Sequence, residues 1–182
     1  MDELVAALAT AQEGEVLFLD GAAEIDCTEM VYVEQLVLEV PGGVTLVSDR
    51  GTDGSEGALI VSDCLKTRPL FRTLGPNVRF SGLRIVGPNP KRCMEHHRRS
   101  FGPPPLHHGG RGHEYYYKFP VSDGIEAAHE NLTIDNCELS GWRQAPSCRR
   151  KVQDITFTTI ISITTNTMVW VMERVMIARF SN

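Results

Sequence analysis

The sequence predicts an all-β chain wound as a β-solenoid, with one helix closing its N-terminal end. Three observations point there. Short apolar runs recur between Gly, Pro, Asp and Asn residues, the punctuation of an all-β fold. One stretch of sequence occurs twice on a single template. The first residues are amphipathic at helical spacing rather than alternating.

The opening "MDELVAALATAQEGE" reads as an amphipathic helix over residues 3–12. It carries acidic residues where a secretion signal needs a basic start, and Gln12 and Glu13 break its apolar run. Five strand-like runs follow: "EVLFLD" (15–20), "EQLVLEV" (34–40), "GVTLVSD" (43–49), "GALIVSD" (57–63) and "NVRFSGLRIVG" (77–87). The last of these is repeated in "NLTIDNCELSG" (131–141). Both copies begin with Asn, place apolar residues at offsets 1, 3, 6 and 8, and end in Gly.

The pairs Val78/Phe80 and Leu83/Ile85, like Leu132/Ile134 and Cys137/Leu139, alternate with a period of two. One extra residue separates each pair from the next, so a corner joins two strands that face the same core. Gly82 and Asn136 share the corner position. Both residue types tolerate positive φ, which predicts a left-handed corner. Such strand–corner–strand units cannot bury their faces singly and must stack by parallel ladders. The N-terminal helix would then cover the open end. A two-sheet sandwich is the alternative, but it does not require this repeated register.

Between the two copies stands "PNPKRCMEHHRRSFGPPPLHHGGRGHEYYYKFPVS", residues 88–122, with five of the six histidines and three consecutive tyrosines. A connection of this length without periodicity is usually functional or disordered. The whole chain is 42% hydrophobic and 23% charged with a net charge of −5, which argues against nucleic acid as a partner. No run approaches an uncharged membrane span, so no membrane partner is expected. The five cysteines lack C-x-x-C spacing and read as buried free thiols.

At "NVRFSGLRIVGPNP", "HHRR", "GRGHEYYYKFP", "SDGI" and "NLTIDNCELSGW" the chain resembles the pectate-lyase-like superfamily, over about residues 3–145. The resemblance is nearest to right-handed β-helix repeat proteins of that group. It implies a right-handed parallel β-helix and a polysaccharide or oligosaccharide partner, acidic sugars included. It further implies lyase or hydrolase chemistry, through carboxylate-held calcium with an Arg or Lys base or through paired carboxylates. Calcium is implied by the resemblance alone; the residues themselves suggest no cofactor. The resemblance also implies secretion, whereas the opening residues read as cytoplasmic, so the compartment stays open.

In that group "ELSGW" is typically followed by a text such as "IHHNxIHHNQxxGLGYG". Here the chain continues "DITFTTIISITTNTMVWVMERVM" (154–176). Regrouping the codons from the third base of Thr156 permits Ile-His-His-Asn in place of Phe157 to Ile160. The same shift over Met168 to Glu173 forces three glycines, in the pattern G-[L/V/M]-G-[Y/H/N/D]-G. Residues 156–182 are therefore expected to be out-of-frame text outside the native fold. Residues 1–155 are expected to form a partial β-helix domain carrying the 88–122 insertion.

The resemblance makes Asp123, Lys118, His113 and Arg111 the catalytic candidates, with Glu114, Glu126, His129, Asp135 and Glu138 as further polar residues nearby. Asp123 equally suits a plain turn before Gly124. Asp135 and Asn136 equally suit a structural corner. Tyr115, Tyr116, Tyr117 and Trp142 could stack on sugar rings, while Arg98, Arg99 and Arg143 could take carboxylates. Those tyrosines could equally pin their own loop. The histidines lack the H-x-x-x-H spacing of a helical zinc site, and no metal site is assigned. Two functions are open: a carbohydrate-processing protein, inactive in this form, or a non-catalytic carbohydrate-binding or structural module.

Overall fold

A computed structural model describes residues 1–65, 67–88, 122–142, 147–148, 155–158, 160–164, 169–172 and 176–178. The chain begins with α1 (Asp2–Thr10), followed by β1 (Val16–Leu19), β2 (Glu24–Asp26) and a second helix α2 (Thr28–Glu34). Next come β3 (Leu38–Val40), β4 (Thr45–Ser48), β5 (Leu59–Val61), β6 (Phe71–Thr73), β7 (Arg79–Ser81) and β8 (Arg84–Val86). After the long connection stand β9 (Ile125–Ala127), β10 (Leu132–Asp135), β11 (Glu138–Ser140) and β12 (Ser147–Cys148). Four further strands are β13 (Ile155–Thr158), β14 (Ile160–Thr164), β15 (Val169–Met172) and β16 (Met176–Ala178).

The strands form three sheets. The first has the order β1-β4-β7-β10-β13-β16, the second β2-β5-β8-β11-β14-β15, and the third β3-β6-β9-β12. From β1 to β11, each strand pairs in parallel with the strand three places later in the chain. β13–β16 and β14–β15 are antiparallel.

This corrects the predicted fold class, the all-β right-handed parallel β-helix with a single capping helix. The described part is 35% strand and 15% helix, in mostly parallel sheets with two helices, and a β-helix is not shown. The second helix explains part of the difference. "TEMVYVE" is rich in residues that favour strands, yet only Val31 of it is buried. Gln35 ends it in the left-handed region (φ +56°), its N–H donating to the Met30 carbonyl. The apolar run read as 34–40 therefore becomes a strand only at Leu38.

The corner prediction fits the backbone. Gly82 has φ +69° and Asn136 φ +51°. The template's first residues, Asn77 and Asn131, are also left-handed, at +62° and +58°. Asn131 Nδ2 donates to Asn77 Oδ1 across 2.6 Å, linking the residues that lead into β7 and β10.

Inside, in-register columns make the core: Leu46–Phe80–Ile134, Ile60–Ile85–Leu139 and Leu38–Phe71–Ile125. All nine are buried, and each such side chain contributes roughly 1.5–3 kcal/mol by leaving water. Phe71 and Phe80 meet edge to face at 5.2 Å, joining the third sheet to the first. Helix α1 buries Leu4 and Leu8 and packs against β3. Its acidic first turn, Asp2 and Glu3, suits the positive end of the helix dipole. Among the described residues, no helix is long and apolar enough to cross a membrane.

Candidate functional site

Alternation sends every second residue of a strand outward; on β1 these are the apolar Val16 and Phe18, but on several other strands they are charged. In the third sheet Glu39, Arg72 and Glu126 share one column. Arg72 Nε donates to Glu126 Oε2 at 2.6 Å, and its Nη1 stands 3.7 Å from Glu39. In the first sheet Arg79 grips Asp135 with two bonds, from Nε at 2.7 Å and Nη2 at 2.9 Å. The Ser81 hydroxyl donates to the same carboxylate at 2.7 Å. In the second sheet Arg84 and Glu138 face each other in register. Yet Arg84 binds Glu56 at 2.7 Å, while Glu138 pairs with Arg50 at 3.8 Å. The connection 49–58 between β4 and β5 supplies both of those partners. Asn136 Nδ2 ties this connection to the corner by donating to the Arg50 carbonyl at 2.9 Å.

The electrostatics follow. Burial would raise the Asp135 carboxyl, but the bonds from Arg79 and Ser81 and the Arg79 charge outweigh it, leaving its pKa below the ordinary carboxylate value. The hydrogen bond to Asp135 holds Arg79 above its usual value, against a smaller opposing effect of burial. Cys27, Cys64 and Cys137 are free and buried. Burial pushes the thiols of Cys27 and Cys137 up to about 12, far from the thiolate a reactive cysteine needs.

Of the sequence candidates, the structure describes few. Lys118, His113, Arg111, Glu114, Tyr115, Tyr116, Tyr117, Arg98, Arg99 and Arg143 lie outside the described residues. Asp123 is half-buried, with its backbone woven into the third sheet. Its N–H donates to the Thr67 carbonyl at 2.9 Å, and its carbonyl accepts from Leu70 at 3.0 Å. Trp142 is 1% exposed, and its indole N–H donates to the Ile85 carbonyl at 3.0 Å. Its ring therefore lies in the core. Glu126, Asp135 and Glu138 each hold an arginine, and His129 is exposed on the link between β9 and β10. Asp123 and Trp142 both adjoin Gly124: one precedes it in the chain and the other packs on it.

Sequence reading missed the arginines of these faces. The repeat carried a signal for one of them: Arg79 stands at template offset 2 and Asp135 at offset 4 of the neighbouring copy, opposite charges within diagonal reach. The same template pairs Arg84 with Glu138, and only the connection after β4 redirects both. Among the described residues, no group of three or more His, Cys, Asp or Glu is placed to hold a metal ion. No family model, curated protein or solved structure matches the chain.

Proposed function

We propose that this chain is a carbohydrate-related protein, derived from a polysaccharide-processing ancestor and without turnover of its own. The observation that carries the non-catalytic part is the pairing of the outward carboxylates. Glu126, Asp135 and Glu138 are each engaged by an arginine, and Asp135 by Ser81 as well. A general acid needs a carboxyl whose pKa is raised toward neutrality; Asp135 is shifted the other way. Arginine-held columns of this kind tie neighbouring strands together. The carbohydrate part rests on the resemblance to the pectate-lyase-like superfamily and on the Tyr- and Arg-rich composition of residues 88–122.

The test is a titration of the purified chain with polygalacturonate, alginate and neutral oligosaccharides, followed by assay for new reducing or unsaturated ends. Saturable binding without new ends supports the proposal. New ends that disappear in Asp123→Ala or Lys118→Ala overturn the non-catalytic part. Absence of binding to every sugar class overturns the carbohydrate part.

A further inference from the structure

The chain steps from the second sheet to the third four times, through residues 27–37, 62–70, 87–124 and 141–146. One of these steps contains α2, and another is several times longer than the rest. The return step from the third sheet to the first is made by residues 41–44, 74–78, 128–131 and 149–154, all short. Yet the register on either side of the long step is continuous. Arg84 aligns with Leu59 and Glu138 just as Phe71 aligns with Leu38 and Ile125. Something holds the two ends of the 87–124 connection where a short link would hold them.

Trp142 occupies that place. A Cβ built on Gly87 would fall 2.5 Å from Trp142 Cδ2, and one built on Gly124 would fall 2.9 Å from its Cδ1. Both ends of the connection therefore lie directly on one indole, and neither tolerates a side chain there. The ring is fixed in turn by its hydrogen bond to the Ile85 carbonyl, two residues before Gly87. Gly87 N–H donates to the Ser140 carbonyl at 2.7 Å, and Phe71 N–H donates to the Gly124 carbonyl at 2.9 Å. The indole thus bridges the end of β8 and the start of β9, which the sequence separates widely.

We propose that Trp142 locks both ends of the 87–124 connection, so that the three sheets keep their register whatever that connection contains. This stands apart from the carbohydrate reading and does not depend on it.

The test is amide hydrogen exchange on the full-length chain, with a specific protease site inserted after Gly109. In the parent, the Gly87 and Asp123 amides stay protected before and after cleavage. In Trp142→Phe, which keeps a ring but leaves a gap and loses the indole donor, both amides exchange about tenfold faster together. The Gly82 and Glu138 amides, which bond at the left-handed corner, keep their protection in the same variant. Loss of protection at Gly87 and Asp123 on cleavage of the parent overturns the proposal. So does a Trp142→Phe chain in which only one end loosens, or which is unfolded before cleavage, since the ring would then be an ordinary core residue.

Discussion

Replacing Gly82 by alanine separates two costs that a left-handed corner combines. Gly82 has φ +69°, and a Cβ there would overlap the Ser48 carbonyl oxygen while lying 3.1 Å from its carbon and 3.4 Å from Arg50 Cβ. Gly54 is a natural control: its φ is +81°, but a Cβ would meet nothing within 4 Å. Gly54→Ala therefore suffers only the backbone penalty, roughly 1–2 kcal/mol. Lost freedom in the unfolded chain offsets about 0.4–1 kcal/mol of that. Gly82→Ala suffers the same penalty and must also push the end of β4 away from β7, an overpacking cost of roughly 1–3 kcal/mol. The expected difference between the two variants is that second cost.

Urea unfolding followed by circular dichroism reads it directly. With a slope of about 1–3 kcal/mol per molar urea, Gly82→Ala should unfold at a midpoint about 1 M below Gly54→Ala, with the slope unchanged. Asn136→Gly, at the equivalent corner, relieves its φ of +51° but gives up the bond from Nδ2 to the Arg50 carbonyl. The loss of about 1 kcal/mol from that bond leaves it close to the parent. Equal midpoints for Gly82→Ala and Gly54→Ala would refute the close packing of β4 against the corner.

Two other outcomes follow from the polar groups. Because the folded-state pKa of Asp135 lies below its unfolded value, its contribution is present above about pH 3.9 and is lost as pH falls through the folded pKa. Arg79 is half exposed, so solvent screening limits that contribution to about 1 kcal/mol. Asp135→Asn should flatten the acid limb of a stability-against-pH curve measured by urea midpoints; an unchanged limb would assign the dependence elsewhere. Cys27 and Cys137, with thiols pushed up to about 12 and no exposed surface, should stay unlabelled by iodoacetamide at pH 8. Mass spectrometry should find both labelled only after denaturation, and rapid native labelling at either would contradict their burial.

Much of the strand layout was legible, and for a local reason. The positions that must face the core, Val78, Phe80, Leu83 and Ile85, and their counterparts in the second copy are set by a period of two and one corner residue. Alternation and αL tolerance are both visible in a single sequence. The helix α2 was not legible, because "TEMVYVE" has strand propensity and becomes helical only through its place between β2 and β3. Nor were the ion pairs of the second sheet, since Arg84 and Glu138 align in the repeat and are parted by Glu56 and Arg50 from a connection outside it. Trp142 misled the reading for a similar reason. An aromatic residue after "SG" suggests a sugar platform, whereas Gly87 and Gly124, distant in sequence, supply the space that buries it.

The last segment shows how little strand formation says about reading frame. β13 adds in parallel to β10, with Ile155 beside Leu132 and Phe157 beside Ile134, and β14 adds to β11. β15 and β16 then return antiparallel, and the rule of parallel pairing three strands apart ends. Thr, Ile and Val fit a pleated surface in any frame, so the first two pairings need only an apolar edge to dock on. Continuing the rule needs turn chemistry as well, such as the Gly or Asn that makes the corner at 82 and 136. From Thr156 to Thr165 the sequence contains neither. The shifted frame forces three glycines and permits Asn and His at the positions before them. Sequencing the transcript around codon 156 should reveal one additional base, and an unshifted transcript would refute the out-of-frame reading.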